Sequence, residues 1–193
     1  CETALAEAEI EYSEHISPSI YVKFRIKDER VKNDKTFLVI WTTTPWTLVS
    51  NVAVSVHPDL LYVSVKVGDE TFYLAENLLA ILKDKLNFKD YKLSGTFKGK
   101  DLEGLNYSHP FIGREGKVVL ADYVSSEEGT GCVHTAPGHG QEDFLTGCKY
   151  KLQTIMPVDE KGRFDETTGE FKGVNVFEAN NLIIKHLGGE KLL

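Results

Sequence analysis

Residues 129–144 read GTGCVHTAPGHGQEDF and hold most of the side chains here that could do chemistry. Four glycines, one proline, two histidines and two adjacent carboxylates fall within sixteen residues. Glycine at that density lets a backbone turn sharply and approach a ligand closely. The polar residues among them are of the kinds that position water, bind an amine or hold a metal. A second unusual stretch, residues 41–47 (WTTTPWT), sets three threonines between two tryptophans. The expectation is that the two stretches face each other across one hydrolytic pocket.

Each chemistry has a plain competitor. Cys132, His134, His139 and Cys148 could ligate zinc, but their spacing matches none of the usual structural zinc patterns, so no metal is expected. His139 also reads as a loop residue satisfied by backbone. His134 ends a strand and enters the Thr135-Ala136-Pro137 turn, which would aim its ring into a cavity. A Gly-x-Ser-x-Gly nucleophile is absent from the sequence. Cys132 lies two residues before His134, on the same strand face, so a Cys–His pair is open. A strand cysteine is more often a small buried hydrophobe. Glu142 and Asp143, being neighbours, diverge by about 100° on a helix and cannot act as one dyad. In a first helical turn the dipole favours the ionised carboxylate. That would fix a negative charge suited to a cationic group; simple helix-end complementarity is the alternative. Thr42, Thr43 and Thr44 carry hydroxyls that are weak nucleophiles without a base. Positioning of water or a carbonyl is therefore expected of them, against the bland reading that threonine favours strands.

The elements that must hold these residues are mostly strands. Residues 19–26 (SIYVKFRI) alternate, with Ile20, Val22, Phe24 and Ile26 on one face. Residues 36–41 (TFLVIW) form a continuous apolar run, the pattern of a buried central strand that delivers the chain into the threonines. Residues 51–56, 61–67 and 70–74 read as further strands, the last two joined by a Gly68-Asp69 turn. Residues 91–107 are strand-like and broken by glycines; 117–121, 131–134 and 155–158 complete the set. Helices are expected over 76–86, with Leu78, Leu79, Ile81, Leu82 and Leu86 as its stripe, and over 142–150. A third spans 176–187, with Asn175 as N-cap, Leu182 among its apolar positions and Gly188 at its stop. The fold class is α+β, mainly β: a closed β-barrel of about six strands with peripheral helices. One domain is expected over 19–193, entered by a connecting ribbon over 1–18.

Composition narrows the function. A hydrophobic content of 41% supports a packed core. Three cysteines are too few and too odd for a disulfide scaffold and suit a reducing, cytoplasmic setting. No apolar run is long enough to cross a membrane. A net charge of −7 argues against a protein living by phosphate contacts. The chain opens at Cys1 without an initiator methionine, which reads as a piece of something longer.

WTTTPWTLVSN together with GTGCVHTAPGHGQEDF resembles the editing domain of bacterial-type isoleucyl-tRNA synthetases, and TALAEAEIEY, SPSIYVKF and NVAVSVHPDL extend the resemblance along the chain. The related valyl and leucyl domains carry an arginine in the threonine motif, where this chain has Thr44. The resemblance implies a barrel inserted in a synthetase and hydrolysis of valine mischarged onto isoleucine tRNA. Its partners would be the acceptor end of that tRNA and the rest of the parent synthetase. It implies a monomer that needs no cofactor. It further implies that Asp143 grips the α-ammonium and that Thr42, Thr43 and Thr44 line the pocket and organise water. His134 would limit side-chain size, Asn51 would line the pocket, and Trp46 would wall the terminal adenosine. Gly138 and His139 join the substrate-contacting set. A metal-dependent hydrolase and a non-catalytic tRNA-binding module stand as alternatives.

Overall fold

The computed structural model describes residues 17–189; most of the expected connecting ribbon therefore lies outside the described residues. Nine strands form one sheet: β1 (Ile20–Ile26), β2 (Thr36–Thr42), β3 (Ala53–Val56), β4 (Leu61–Val67), β5 (Glu70–Ala75), β6 (Lys92–Lys98), β7 (Asn106–Ser108), β8 (Glu115–Leu120) and β9 (Cys132–Thr135). Their order is β6-β4-β5-β2-β1-β7-β8-β3-β9. The β2–β5 and β3–β8 pairs are parallel, and the rest are antiparallel.

The sheet does not close into the expected barrel. Closure needs two free edges that meet in register. Here β9 lies against β2, but β2 is already paired with β1 on one edge and β5 on the other. The other terminal strand, β6, has mostly exposed side chains. The sheet therefore curls over itself, with the lead-in to β9 tied to the end of β5 by the Ala75 N–H donating to the Thr130 carbonyl at 2.8 Å.

Alternation in β1 buries Ile20, Val22, Phe24 and Ile26 as its pattern requires. β2 is buried at six of its seven positions because both of its faces are covered. Its inward residues Leu38 and Ile40 join Phe24, Val54, Tyr62 and Leu74 in the main core, while Phe37 and Val39 pack with Phe72 on the other face. Three helices follow: α1 (Leu79–Lys85), α2 (Gln141–Tyr150) and α3 (Val176–Gly189). The first is shorter than expected, because residues Glu76–Leu78 wind as a 3₁₀ turn. Ile81 and Leu182 lie on exposed faces and leave the predicted stripes. Asn175 does cap α3, its Oδ1 accepting from the Phe177 N–H at 3.0 Å, but the helix runs through Gly188. Residues 155–158 form no strand; Val158 makes only an isolated bridge to Phe164.

One buried group ties this core to acid. The His109 Nε2–H donates to the Leu48 carbonyl at 2.7 Å, and its Nδ1 accepts from the Phe111 and Ile112 N–H groups. Both nitrogens are satisfied only in the neutral ring. Burial lowers its pKa from the ordinary 6.5 to about 3. Because the unfolded chain takes the proton first, this contribution is fully present above pH 6.5 and is lost as pH falls through about 3. Urea midpoints should therefore fall on acidification, and His109→Gln should flatten that slope. Parallel pH profiles for variant and parent would contradict the assignment.

Candidate active site

A cavity of about 370 Å³ opens where β2 and β9 meet. Its lining includes Thr42, Thr43, Thr44, His134, His139 and Asp143, so the two unusual stretches do share one pocket. Pro45 starts a 3₁₀ helix over Pro45–Ser50, which turns the chain sharply after the threonines. One turn later it sets Thr47 beneath Thr44. The Thr44 hydroxyl lies 3.3 Å from that of Thr42 and 3.4 Å from that of Thr47. The exposed Thr43 hydroxyl has no protein partner among the described residues and is free to meet a ligand or water.

His134 is 9% exposed and held at both nitrogens. The Asn51 amide lies 3.3 Å from its Nδ1, and the Thr47 hydroxyl 2.8 Å from its Nε2. The partners fix the tautomer. Asn51 Oδ1 accepts from the Tyr107 hydroxyl at 2.6 Å, which turns the amide N–H₂ toward the ring. Nδ1 is then the acceptor, and Nε2–H donates to Thr47, whose own proton goes to the Thr44 carbonyl at 2.9 Å. Burial pushes the ring's pKa down to about 4, against the pull of the Asp143 charge. His134 is thus neutral, with both ring nitrogens held by protein partners. Arg114 anchors the same segment by donating to the Asn51 and Val49 carbonyls at 2.7 and 3.3 Å.

Asp143 sits in the first turn of α2, as expected. Its Oδ2 accepts from the Ala136 N–H at 2.9 Å, and its Oδ1 lies 3.2 Å from the Tyr123 hydroxyl. Glu128 and Glu142 also line the cavity, and neither Lys nor Arg does so among the described lining residues. The pocket field therefore favours a cationic group and disfavours a phosphate.

Three residues of the expected set lie off the cavity lining. Asn51 is buried behind His134 and holds the ring without lining the cavity. Trp46 does not line it either: its ring packs edge-on against His139 at 4.9 Å, and its backbone N–H donates to Asn180 Oδ1 at 3.0 Å. Trp41, at the other end of the motif, lines the cavity in its place. Gly138 faces away, where a Cβ would collide with the Ile155 carbonyl. The glycine that the site does require is Gly131: its φ is +77°, and a Cβ would strike Ala75.

Among the described residues no three His, Cys, Asp or Glu side chains are grouped to hold a metal. The Cys132 thiol is buried, points to the Tyr73 carbonyl at 3.9 Å, and is pushed up to about 12 by desolvation. A thiol so protonated at neutral pH is no nucleophile. Cys148 is exposed on α2.

A family profile described as "Leucyl-tRNA synthetase, editing domain" matches residues 17–187. The chain belongs to that editing-domain family. Its sequence relatives are isoleucine--tRNA ligases, among them that of Petrotoga mobilis, 53% identical over 97% of this chain and 20% of the relative. The editing domain thus spans about a fifth of the length of the curated relatives it matches. The solved GlLeuRS-CP1 structure superposes with a TM-score of 0.73 at 14% identity, covering 91% of this chain and 97% of that one. The Plasmodium knowlesi cytosolic leucyl-tRNA synthetase editing domain gives 0.70 at 12% identity, over 90% and 94%. Those two likenesses concern the fold. The family assignment rests on the profile match, with the isoleucine--tRNA ligase relatives beside it. No helix among the described residues is long and apolar enough to cross a membrane.

Proposed function

We propose that this domain hydrolyses the ester of valine mischarged onto isoleucine tRNA, in the cytoplasm and as part of a longer synthetase. The observation that carries the reading is one cavity shared by a row of threonine hydroxyls, a doubly hydrogen-bonded carboxylate and a fixed neutral imidazole. Asp143 binds the α-ammonium of the aminoacyl group. His134 bounds its side chain. Trp41 offers an apolar face to the terminal adenosine, and the acidic lining keeps the preceding phosphates outside.

An aminoacyl ester is already activated, so no covalent nucleophile is required. The reaction needs a water held against the carbonyl carbon, and positioning of that kind supplies much of a rate enhancement. Thr43 and Thr44 directly follow the buried strand β2, so their backbone is well placed; the Thr44 hydroxyl is held between those of Thr42 and Thr47, and the Thr43 hydroxyl is open to water. One methylene gives a synthetic site only modest discrimination; isoleucyl-tRNA synthetase is the stock illustration of why a second, hydrolytic sieve is needed.

The test is deacylation of Val-tRNA(Ile) by the full-length protein that carries this domain. Thr43→Ala and Thr44→Ala should each lower the single-turnover rate, by up to about a hundred-fold, while leaving substrate affinity near that of the parent. An intact single-turnover rate with weakened binding would assign the threonines to recognition. Absence of deacylation by the parent itself would favour a tRNA-binding module.

A further inference from the structure

Tyr123 follows β8 in a stretch, LADYVSS, with no periodic signal. It is half-buried and lines the cavity. Its hydroxyl lies 3.2 Å from Asp143 Oδ1 and 3.2 Å from Ser55 Oγ. Ser55 Oγ in turn lies 2.7 Å from Thr135 Oγ1, and both residues are fully buried.

A phenol has one proton to give, and a carboxylate is the stronger acceptor. The Tyr123 proton therefore goes to Asp143. Ser55 Oγ, the other acceptor within its reach at 3.2 Å, is the weaker of the two. The Ala136 N–H holds the other carboxylate oxygen at 2.9 Å. Asp143 is left with no rotation about its last bond that keeps both partners.

We infer that Tyr123 is a positioning residue for the editing reaction, fixing the Asp143 carboxylate in the orientation that receives the substrate's α-ammonium. The inference rests on the function proposed above and adds a residue to it. Burial raises the pKa of the phenol, so it keeps its proton across the working range. The geometry also separates two tasks within the pocket. The Tyr107–Asn51–His134–Thr47 chain sets the side-chain wall, and the Thr135–Ser55–Tyr123–Asp143 chain sets the ammonium clamp. Thr135 and His134 are adjacent on β9, so one short strand carries both.

The experiment compares two esters of isoleucine tRNA in the full-length protein: valyl, and the 2-hydroxy analogue in which a hydroxyl replaces the ammonium. Tyr123→Phe keeps the ring and removes the hydroxyl. It should raise KM for the valyl ester about three- to ten-fold and leave the hydroxy ester at the parent's KM and kcat. In an Asp143→Asn background it should add nothing. An equal penalty on both esters would make Tyr123 merely structural and overturn the inference, as would a folded Tyr123→Phe with an unchanged valyl KM. Should Tyr123→Phe fail to fold, Ser55→Ala decides. It cuts the chain one link earlier and should produce a smaller loss with the same selectivity for the valyl ester; a loss without that selectivity overturns the inference. If the unmodified protein spares both esters, it is the proposed function that falls, and this inference with it.

Discussion

Asp143→Ala should lower the rate of Val-tRNA(Ile) deacylation by about ten- to a hundred-fold or more, since a charge-assisted hydrogen bond contributes roughly 1.5–3 kcal/mol. The carboxylate is well placed for that effect. It lies in the first turn of α2, where the helix dipole stabilises a negative charge. Both oxygens are oriented by neutral donors, from Ala136 and Tyr123, so no cation competes with the substrate. Removing the side chain frees those two donors. Asp143 is half-exposed, so water reaches them, and the fold should survive. Asp143→Asn separates charge from shape: it keeps the volume, and should lose nearly as much activity as the alanine variant. Thermal melts and single-turnover deacylation on parent and both variants decide the matter. A folded Asp143→Ala with near-normal deacylation would remove Asp143 from the mechanism. A folded asparagine variant with near-normal activity would show that shape, and not charge, is what the substrate meets.

Much of this site was legible before any coordinates, for identifiable reasons. The strand 36–41 announced itself by an unbroken apolar run, because β2 is covered on both faces. The threonines at its end inherited a known direction. The placement of Asp143 in a first helical turn followed from the glycine preceding α2. What could not be read was the third dimension behind the pocket. Asn51 and Tyr107 are 56 residues apart, and their hydrogen bond depends on how β7 and the segment before β3 meet in the curled sheet. Tyr123 reaches Asp143 across a turn that carries no pattern of its own. Thr47 was within reach of sequence reasoning: Pro45 is a helix-start residue, so position 47 had to fall a turn beneath Thr44. The same helical turn carries Trp46 off the cavity lining and against His139. Barrel closure failed as an expectation because strand count does not reveal which edges are already occupied. Here the strand that β9 meets, β2, has none to spare.

The second large effect concerns selectivity. Isoleucine exceeds valine by one methylene, which would add about 0.8 kcal/mol of attraction in any apolar pocket. An editing pocket governed by attraction would therefore prefer the correct amino acid and destroy the product. Rejection must come from a wall that cannot yield, and overpacking by a methylene costs about 1–3 kcal/mol. His134 has the properties of such a wall. Its ring is held at Nδ1 by Asn51 and at Nε2 by Thr47, with Asn51 itself held by Tyr107. It is neutral, because burial keeps its pKa far below 7, so it neither repels the ammonium nor swings out to water. His134→Ala opens the pocket by most of an imidazole. The variant should deacylate correctly charged Ile-tRNA(Ile) about 5- to 150-fold faster than the parent, the span that 1–3 kcal/mol of relieved clash converts to. It should still clear Val-tRNA(Ile). Asn51→Ala should leak toward isoleucine less strongly, since the ring stays but loses one of its two ties. Measuring both esters with parent and both variants is sufficient. Loss of valine clearance with no gain for isoleucine would make His134 part of the hydrolytic machinery, and the size filter would then have to be sought among the threonines.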